Sequence, residues 1–275
     1  LQMVILRLRG DYMRILRIIS IFLALIITLP VLLLIYLGLF IYKSPQAFSS
    51  RFLDSIILTL VSSVIAVMLE FFLFTPLAYY LAREDDALID SLVDIPASIP
   101  HPIVGVALVL LGSPITPIGA FLNTIGIRFF DTFLGLTSAL ILVSAPVYIK
   151  TAKSYFESMN EWPEIFSYSL GVSRVKTFIF VVLPISIKGL LNATLISIAR
   201  AMSEFGSVAI VAYYVLDYPF RGLSPASVLI YEYFSYYGPQ TAVTASSILI
   251  IIGLIIILTT RIIEQLSKKE LKRIS

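Results

Sequence analysis

Six apolar stretches, at about 17–42, 53–82, 97–113, 131–149, 186–213 and 240–263, dominate the chain and leave little choice of environment. A helix needs about 20 mostly apolar residues to cross the hydrocarbon of a bilayer. A segment facing lipid must satisfy its own backbone hydrogen bonds, so each stretch is expected to be helical. The charge content agrees. Only 13% of the residues are charged and 59% are hydrophobic, against about 25% charged in an ordinary soluble domain. The fold class expected is therefore all-α, a polytopic bundle of six transmembrane helices. The third stretch is the least regular, because Pro96, Pro100 and Pro102 crowd its start. Pro30, Pro76 and Pro146 are expected to kink the helices that hold them.

The basic residues set an orientation. With the amino terminus in the cytoplasm, Arg7, Arg9, Arg14, Arg17, Arg83, Lys150, Lys153, Arg174, Lys176, Lys188, Arg261, Lys268, Lys269, Lys272 and Arg273 fall inside. Lys43, Arg51, Arg128 and Arg221 fall outside, and Arg200 lies within the fifth stretch. This bias predicts cytoplasmic termini and an even number of crossings. It also accounts for the basic balance without nucleic acid. The apolar run from Ile18 to Tyr42 exceeds the core of a signal peptide and reads as an uncleaved first helix. One membrane domain over 1–275 is expected, with no regulatory domain after the last span. Cysteine is absent and His101 is the single histidine, so a thiolate or multi-histidine metal site is excluded and no cofactor is expected.

Between the fourth and fifth stretches lies a segment, 157–184, longer than a plain connection requires. Pro163 suits the first turn of a short helix and Gly171 its end. Glu161 and Glu164 sit near the positive end of that helix dipole. Ser173 is placed to cap a second helix from Arg174, which Pro184 is expected to break or bend. The segment reads as a structured cytoplasmic elbow, either a docking surface or an interfacial amphipathic helix.

The spacing of Glu164, Gly171 and Leu183-Pro184 resembles the cytoplasmic loop of ATP-binding-cassette import permeases; Phe166 and Ser167 stand near positions that the family usually gives to alanine. Asp94-Ile-Pro-Ala-Ser-Ile-Pro-His-Pro-Ile-Val-Gly105 and Ala199-Arg-Ala-Met-Ser-Glu-Phe-Gly206 are similar to the molybdate/tungstate branch, and the second also to the sulfate/thiosulfate branch. Leu229-Ile-Tyr-Glu232-Tyr resembles the archaeal-type members. The resemblance runs from about Asp54 to Arg261. It implies the type I importer permease fold, with the elbow as a coupling helix seated on a separate ATP-binding subunit, two copies of which are expected. Glu161, Glu164, Ser167, Leu170, Gly171, Val172, Leu183 and Pro184 are the implied coupling residues. An oxyanion-binding protein outside the cell membrane and a second copy of the chain are the other implied partners. Tungstate or molybdate is the implied substrate, with sulfate or thiosulfate as the alternative.

Ionisable groups within spans are costly and are functional candidates for that reason. Glu70, Arg200 and Glu204 qualify. Arg200 and Glu204, four apart, are placed to pair on one helix face. Two readings stay open: the pair locks the fifth span to its neighbours, or Arg200, Ser203, Glu204 and Ser207 flank a path for a divalent oxyanion, with Pro100, His101 and Gly105 nearby. Glu70 reads as structural or as lying near an inner helix end. His101 reads as packed or hydrogen-bonded, and Gly105 and Gly206 as sites of close helix contact. The chain has no Gly-x-x-x-x-Gly-Lys-Ser/Thr phosphate loop, so it is not itself an ATPase of that kind. A secondary transporter or channel would carry relay charges or an inverted repeat, and an intramembrane enzyme a recognisable nucleophile or metal motif. The sequence shows neither.

Overall fold

The computed structural model describes residues 2–274, with side chains described for 13–256, 258, 259 and 262. The expected inner charges Arg7, Arg9, Arg261, Lys268, Lys269, Lys272 and Arg273 lie outside the described side chains. Helix α1 (Gln2–Tyr36) continues into a π-helical turn at Leu37–Tyr42, and a 3₁₀ turn at Pro45–Phe48 leads to α2 (Ser50–Arg83). Next come α3 (Ala87–Ser98), α4 (His101–Leu111), α5 (Pro117–Thr124) and α6 (Phe133–Ser158). The elbow is α7 (Trp162–Ser169) and α8 (Arg174–Thr177), and a π-helical turn at Phe178–Val182 joins it to α9 (Leu183–Met202). The chain ends with α10 (Val208–Val211), α11 (Ala226–Tyr237) and α12 (Pro239–Ile274).

Among the described residues, five helices are long and apolar enough to cross a membrane, and α3 with α4 makes a sixth crossing only as a pair bent by 102°. The third stretch is thus a broken span, which corrects the expectation of a helix over 97–113. Prolines at 96, 100 and 102 explain it: the residue before a proline is pushed toward extended backbone, and Ile99 has φ −104° and ψ 151°. The fifth span is also redrawn. It runs from Arg174 to Met202, starting earlier and ending sooner than 186–213. Pro184 does not break it. The wide turn just before the proline, closed by Leu183 N–H donating to the Phe178 carbonyl, fits a ring that would collide with the carbonyl four residues back in an α-helix. Pro76 and Pro146 likewise sit inside continuous helices.

Caps fix where the helices begin. Ser49, Asp86, Thr116 and Thr132 each accept a backbone N–H from the first turn of α2, α3, α5 and α6. Ser173 holds the cap position of α8 but its side chain makes no capping bond, contrary to expectation.

Helices α2 and α6 form the centre, and α9 packs against both. One apolar cluster contains Leu58, Leu136, Leu140 and Val211, and a second, toward the elbow, contains Leu81, Tyr148, Phe156 and Leu190. A third joins Phe52, Leu229 and Tyr233 on the far side of α2. Helix α1 leans on α12, where Gly38 lets the backbones close: a Cβ there would sit 2.0 Å from Ser247 Oγ. Its apolar side chains over 13–33 are largely exposed, as a lipid-facing helix requires.

Glu70 is fully buried between the three central helices. It accepts hydrogen bonds from Ser144 of α6 and, at 2.6 Å, from Ser197 of α9. It is a cross-brace well inside α2, not a residue at a helix end. We predict that Glu70→Ala, which removes the shared acceptor, lowers the unfolding free energy in detergent by about 1–3 kcal/mol, whereas Glu70→Gln retains most of it. Equal melting temperatures for wild type and the alanine variant would contradict this.

Candidate functional site

Two polar constructions stand out. The first is the elbow. Along α7, Glu164 and Ser167 are three apart and share the face turned into the protein, as helical geometry demands. Glu164 is 5% exposed. Its carboxylate is gripped by Arg83, the last residue of α2, through Nη2 to Oε1 at 2.6 Å and Nε to Oε2 at 3.3 Å. Tyr79, one turn earlier, donates its hydroxyl to Oε2 at 2.5 Å. The third guanidinium nitrogen, Nη1, donates to the Phe156 carbonyl in the last turn of α6 at 2.9 Å. That turn has orphan carbonyls to satisfy. Ser167 pairs with Thr177 of α8 at 2.8 Å, a contact that needs a small side chain.

The turn after α7 closes as a Schellman motif. Val172 N–H donates to the Ser167 carbonyl at 3.2 Å and Gly171 N–H to the Tyr168 carbonyl at 2.9 Å. Gly171 has φ +78°, in the left-handed region that glycine enters without strain. A Cβ at Gly171 would meet nothing within 4 Å, so its constraint is conformational only.

The opposite face of α7 is an apolar ridge. Trp162, Ile165, Phe166 and Leu170 are all exposed, Phe166 at 66% and Leu170 at 67%. Trp162, Ile165 and Phe166 were not among the sequence-derived candidates, although their spacing of three and four residues up to Leu170 marks one helical stripe. Glu161 and Gly171 are exposed beside the ridge and Val172 is half-buried. Leu183 and Pro184 do not join the ridge: Leu183 packs on the second apolar cluster and Pro184 lies at the start of α9.

The second construction lies where the broken third span meets the turn that follows α9. After Met202 the chain leaves helical geometry, and the turn 203–207 packs on the start of α4. Gly206 would place a Cβ 3.0 Å from Pro102 Cδ and 3.1 Å from His101 Cβ. Gly105 would place one 2.7 Å from the Ser207 carbonyl oxygen and 2.8 Å from Ile210 Cβ. Pro100, His101, Gly105, Arg200, Ser203, Glu204 and Ser207 are thereby brought to one locus.

Glu204 is 3% exposed, and both its oxygens are engaged. Oε1 accepts from the Ser207 amide and hydroxyl, each at 2.9 Å, and Oε2 lies 2.9 Å from His101 Nδ1 and 3.2 Å from Arg200 Nη2. Arg200 Nη2 is also 3.0 Å from His101 Nε2. The same Nη2 lies 3.2 Å from His101 Nδ1, so one guanidinium nitrogen faces both ring nitrogens and the three side chains form one polar cluster. Glu204 itself lies past the end of α9, so its pairing with Arg200 spans the end of the helix. The acid is sequestered, whereas Arg200 stays partly open, its Nη1 donating to Ser203 at 3.3 Å.

Smaller ion pairs brace the rest. Lys150 of α6 bonds Asp90 at 2.8 Å and Asp94 at 3.0 Å, fixing the bent α3 to the bundle. Glu232 is buried between Arg51, at 3.2 Å, and Ser224, at 3.0 Å.

Comparison with known proteins follows the same lines. Residues 75–271 match the family model described as binding-protein-dependent transport system inner membrane component. The chain is 32% identical over 206 residues to the molybdate/tungstate transport system permease protein WtpB of Pyrococcus abyssi, covering 74% of this chain and 75% of that one. It is 30% identical over 212 residues to WtpB of Pyrococcus furiosus, covering 76% and 77%. The probable sulfate transport system permease protein of Nephroselmis olivacea is 28% identical, with 86% of each chain covered. A chain from an inward-facing structure of the MetNI methionine ABC transporter superimposes with a TM-score of 0.59 at 17% identity, covering 81% of this chain and 98% of that one. This likeness establishes the fold.

The close approach of α4 to the segment after α9 yields a direct prediction. Gly105→Ala forces backbone to shift and is expected to cost about 1–3 kcal/mol. Gly253→Ala, where a Cβ meets nothing within 4 Å, is expected to be neutral within about 0.5 kcal/mol. Thermal unfolding of the two variants checks this, and equal midpoints would contradict the packing described.

Proposed function

The chain belongs to the family of binding-protein-dependent transport system inner membrane components, and from that premise we propose that it is the permease subunit of an ATP-driven importer of molybdate or tungstate. The observation that carries the mechanism is the apolar ridge on α7, exposed on one face of a helix whose other face is pinned to the bundle. Clustered exposed Trp, Phe, Leu and Ile side chains mark an interaction surface. We assign that surface to an ATP-binding subunit, because the chain has no phosphate loop of its own. In this reading the whole chain is one permease domain in the cell membrane with the elbow and both termini cytoplasmic, supported by the fifteen basic residues assigned to that side. Two copies of the chain with two ATP-binding subunits form the importer, and an oxyanion-binding protein delivers substrate from outside.

In the same reading, the locus around Arg200 borders the translocation path. Tetrahedral dianions need donors as they shed water, and a guanidinium offers a planar fork of them. Glu204 offsets part of that charge, which keeps the contact weak enough for release. His101, Pro100 and Gly105 shape the wall opposite, and Ser203 and Ser207 supply hydroxyls. Sulfate shares this chemistry, and relatives of both substrate names cover most of the chain. The binding protein is where the two are separated.

The test is uptake of tungstate into vesicles holding the chain, its ATP-binding subunit and the binding protein. We predict that Gly171→Val, strained by about 1–2 kcal/mol at positive φ, cuts ATP-dependent uptake at least about tenfold. Gly171→Asn, tolerated in that conformation, should retain most of it. Unchanged uptake in the valine variant would contradict the coupling assignment. Arg200→Gln is expected to lower uptake by about tenfold, the worth of one charge-assisted hydrogen bond, while co-purification of the subunits stays intact. Loss of assembly in proportion to uptake would instead make Arg200 a lock.

A further inference from the structure

Arg83 attracts notice in the sequence only as an inner charge, yet its side chain joins three elements. It ends α2, it bonds a carbonyl in the last turn of α6, and it forms a two-point pair with Glu164 of α7. The guanidinium also lies 5.5 Å from the centroid of the Tyr79 ring, a distance at which the ring face attracts a cation. Only 15% of the Arg83 side chain and 6% of the Glu164 side chain are exposed. Every strong donor around the Glu164 carboxylate comes from α2 of the same chain.

We propose that Arg83 is a positioning residue for transport: it holds the elbow to the ends of α2 and α6, so that force applied at the α7 ridge moves those helices. The Glu164 carboxylate then serves inside this chain and is not a receptor for a basic group of the ATP-binding subunit. This rests on the coupling reading above and adds how the push is transmitted. The geometry supports it, since both carboxylate oxygens are already engaged by donors of α2 on the face of α7 turned away from the ridge. Removing either partner leaves a buried charge unpaired, which loosens the elbow while leaving Trp162, Ile165, Phe166 and Leu170 in place for docking.

The experiment measures tungstate uptake per ATP hydrolysed in vesicles holding the chain, its ATP-binding subunit and the binding protein. Compared are wild type, Arg83→Gln, Arg83→Lys and Glu164→Gln. Arg83→Gln is expected to keep the ATP-binding subunit on co-purification and hydrolysis within about twofold, while uptake per ATP falls about tenfold. Glu164→Gln is expected to lower uptake per ATP to a similar extent. Arg83→Lys, which keeps the charge opposite Glu164, is expected to recover at least about a third of the wild-type ratio. An unchanged ratio in Arg83→Gln overturns the proposal. So does an Arg83→Lys ratio no better than that of Arg83→Gln, or release of the ATP-binding subunit by Glu164→Gln but not by Arg83→Gln. If Arg83→Gln does not insert, Glu164→Gln decides by the same criterion, an unchanged ratio overturning the proposal. Failure of the coupling reading looks different: wild-type vesicles then show no ATP-dependent uptake at all, which removes the transport role of Arg83 with it.

Discussion

A buried glutamate, Glu164, only 5% exposed, dictates how the elbow end of this bundle is built. Unpaired, a charge in that position would cost several kcal/mol, enough to expel it or neutralise it. Glu164 stays because Arg83 meets it at two points and Tyr79 at a third. That requirement sets the azimuth of α7, turning Ser167 inward with Glu164 and forcing the bulky apolar residues outward. It also ties the end of α6 into the same knot through the Phe156 carbonyl. The exposed ridge and the pinned inner face are therefore two consequences of one buried ion pair.

The same logic governs the second polar locus. Backbone that leaves helical geometry at membrane depth is tolerated only where protein or a cavity covers it. Here two such departures, at 99–100 and 203–207, cover each other. Glycines at 105 and 206 allow the approach, and Glu204 satisfies the Ser207 amide that the unwound turn leaves free. A sequestered acid beside a partly open arginine gives a locus that is polar yet internally paired.

Much of this was legible in the sequence, for identifiable reasons. Long apolar runs follow from the thickness of a bilayer, so five spans and the class of fold could be read directly. The positions of Pro163 and Gly171 foretold the start and the end of α7. The break in the third span was signalled by three prolines, but the angle between α3 and α4 comes from packing and has no local signature. Pro184 misled because the π-helical turn that absorbs it is a response of the backbone, not a property of any one residue. Arg200, Glu204 and His101, which the structure brings together, stand out in the sequence because charges and a lone histidine are conspicuous in apolar surroundings. Arg83 was missed as more than a charge, since its pairing with Glu164 joins residues 81 apart in the chain. The stripe of Trp162, Ile165 and Phe166 is legible from its helical period, though the neighbouring glutamates are the more conspicuous residues of the segment.

The central claim is that the ridge on α7 is the surface on which a separate ATP-hydrolysing subunit sits. The chain contains no cysteine, so a single cysteine in place of Leu170 gives an unambiguous reporter. With a thiol-reactive crosslinker of short span in membranes holding both subunits, the account predicts one product joining this chain to the ATP-binding subunit, diminished when a bulky thiol reagent is added first. A cysteine at Leu170 that stays freely reactive and never yields that product in actively transporting membranes would contradict it.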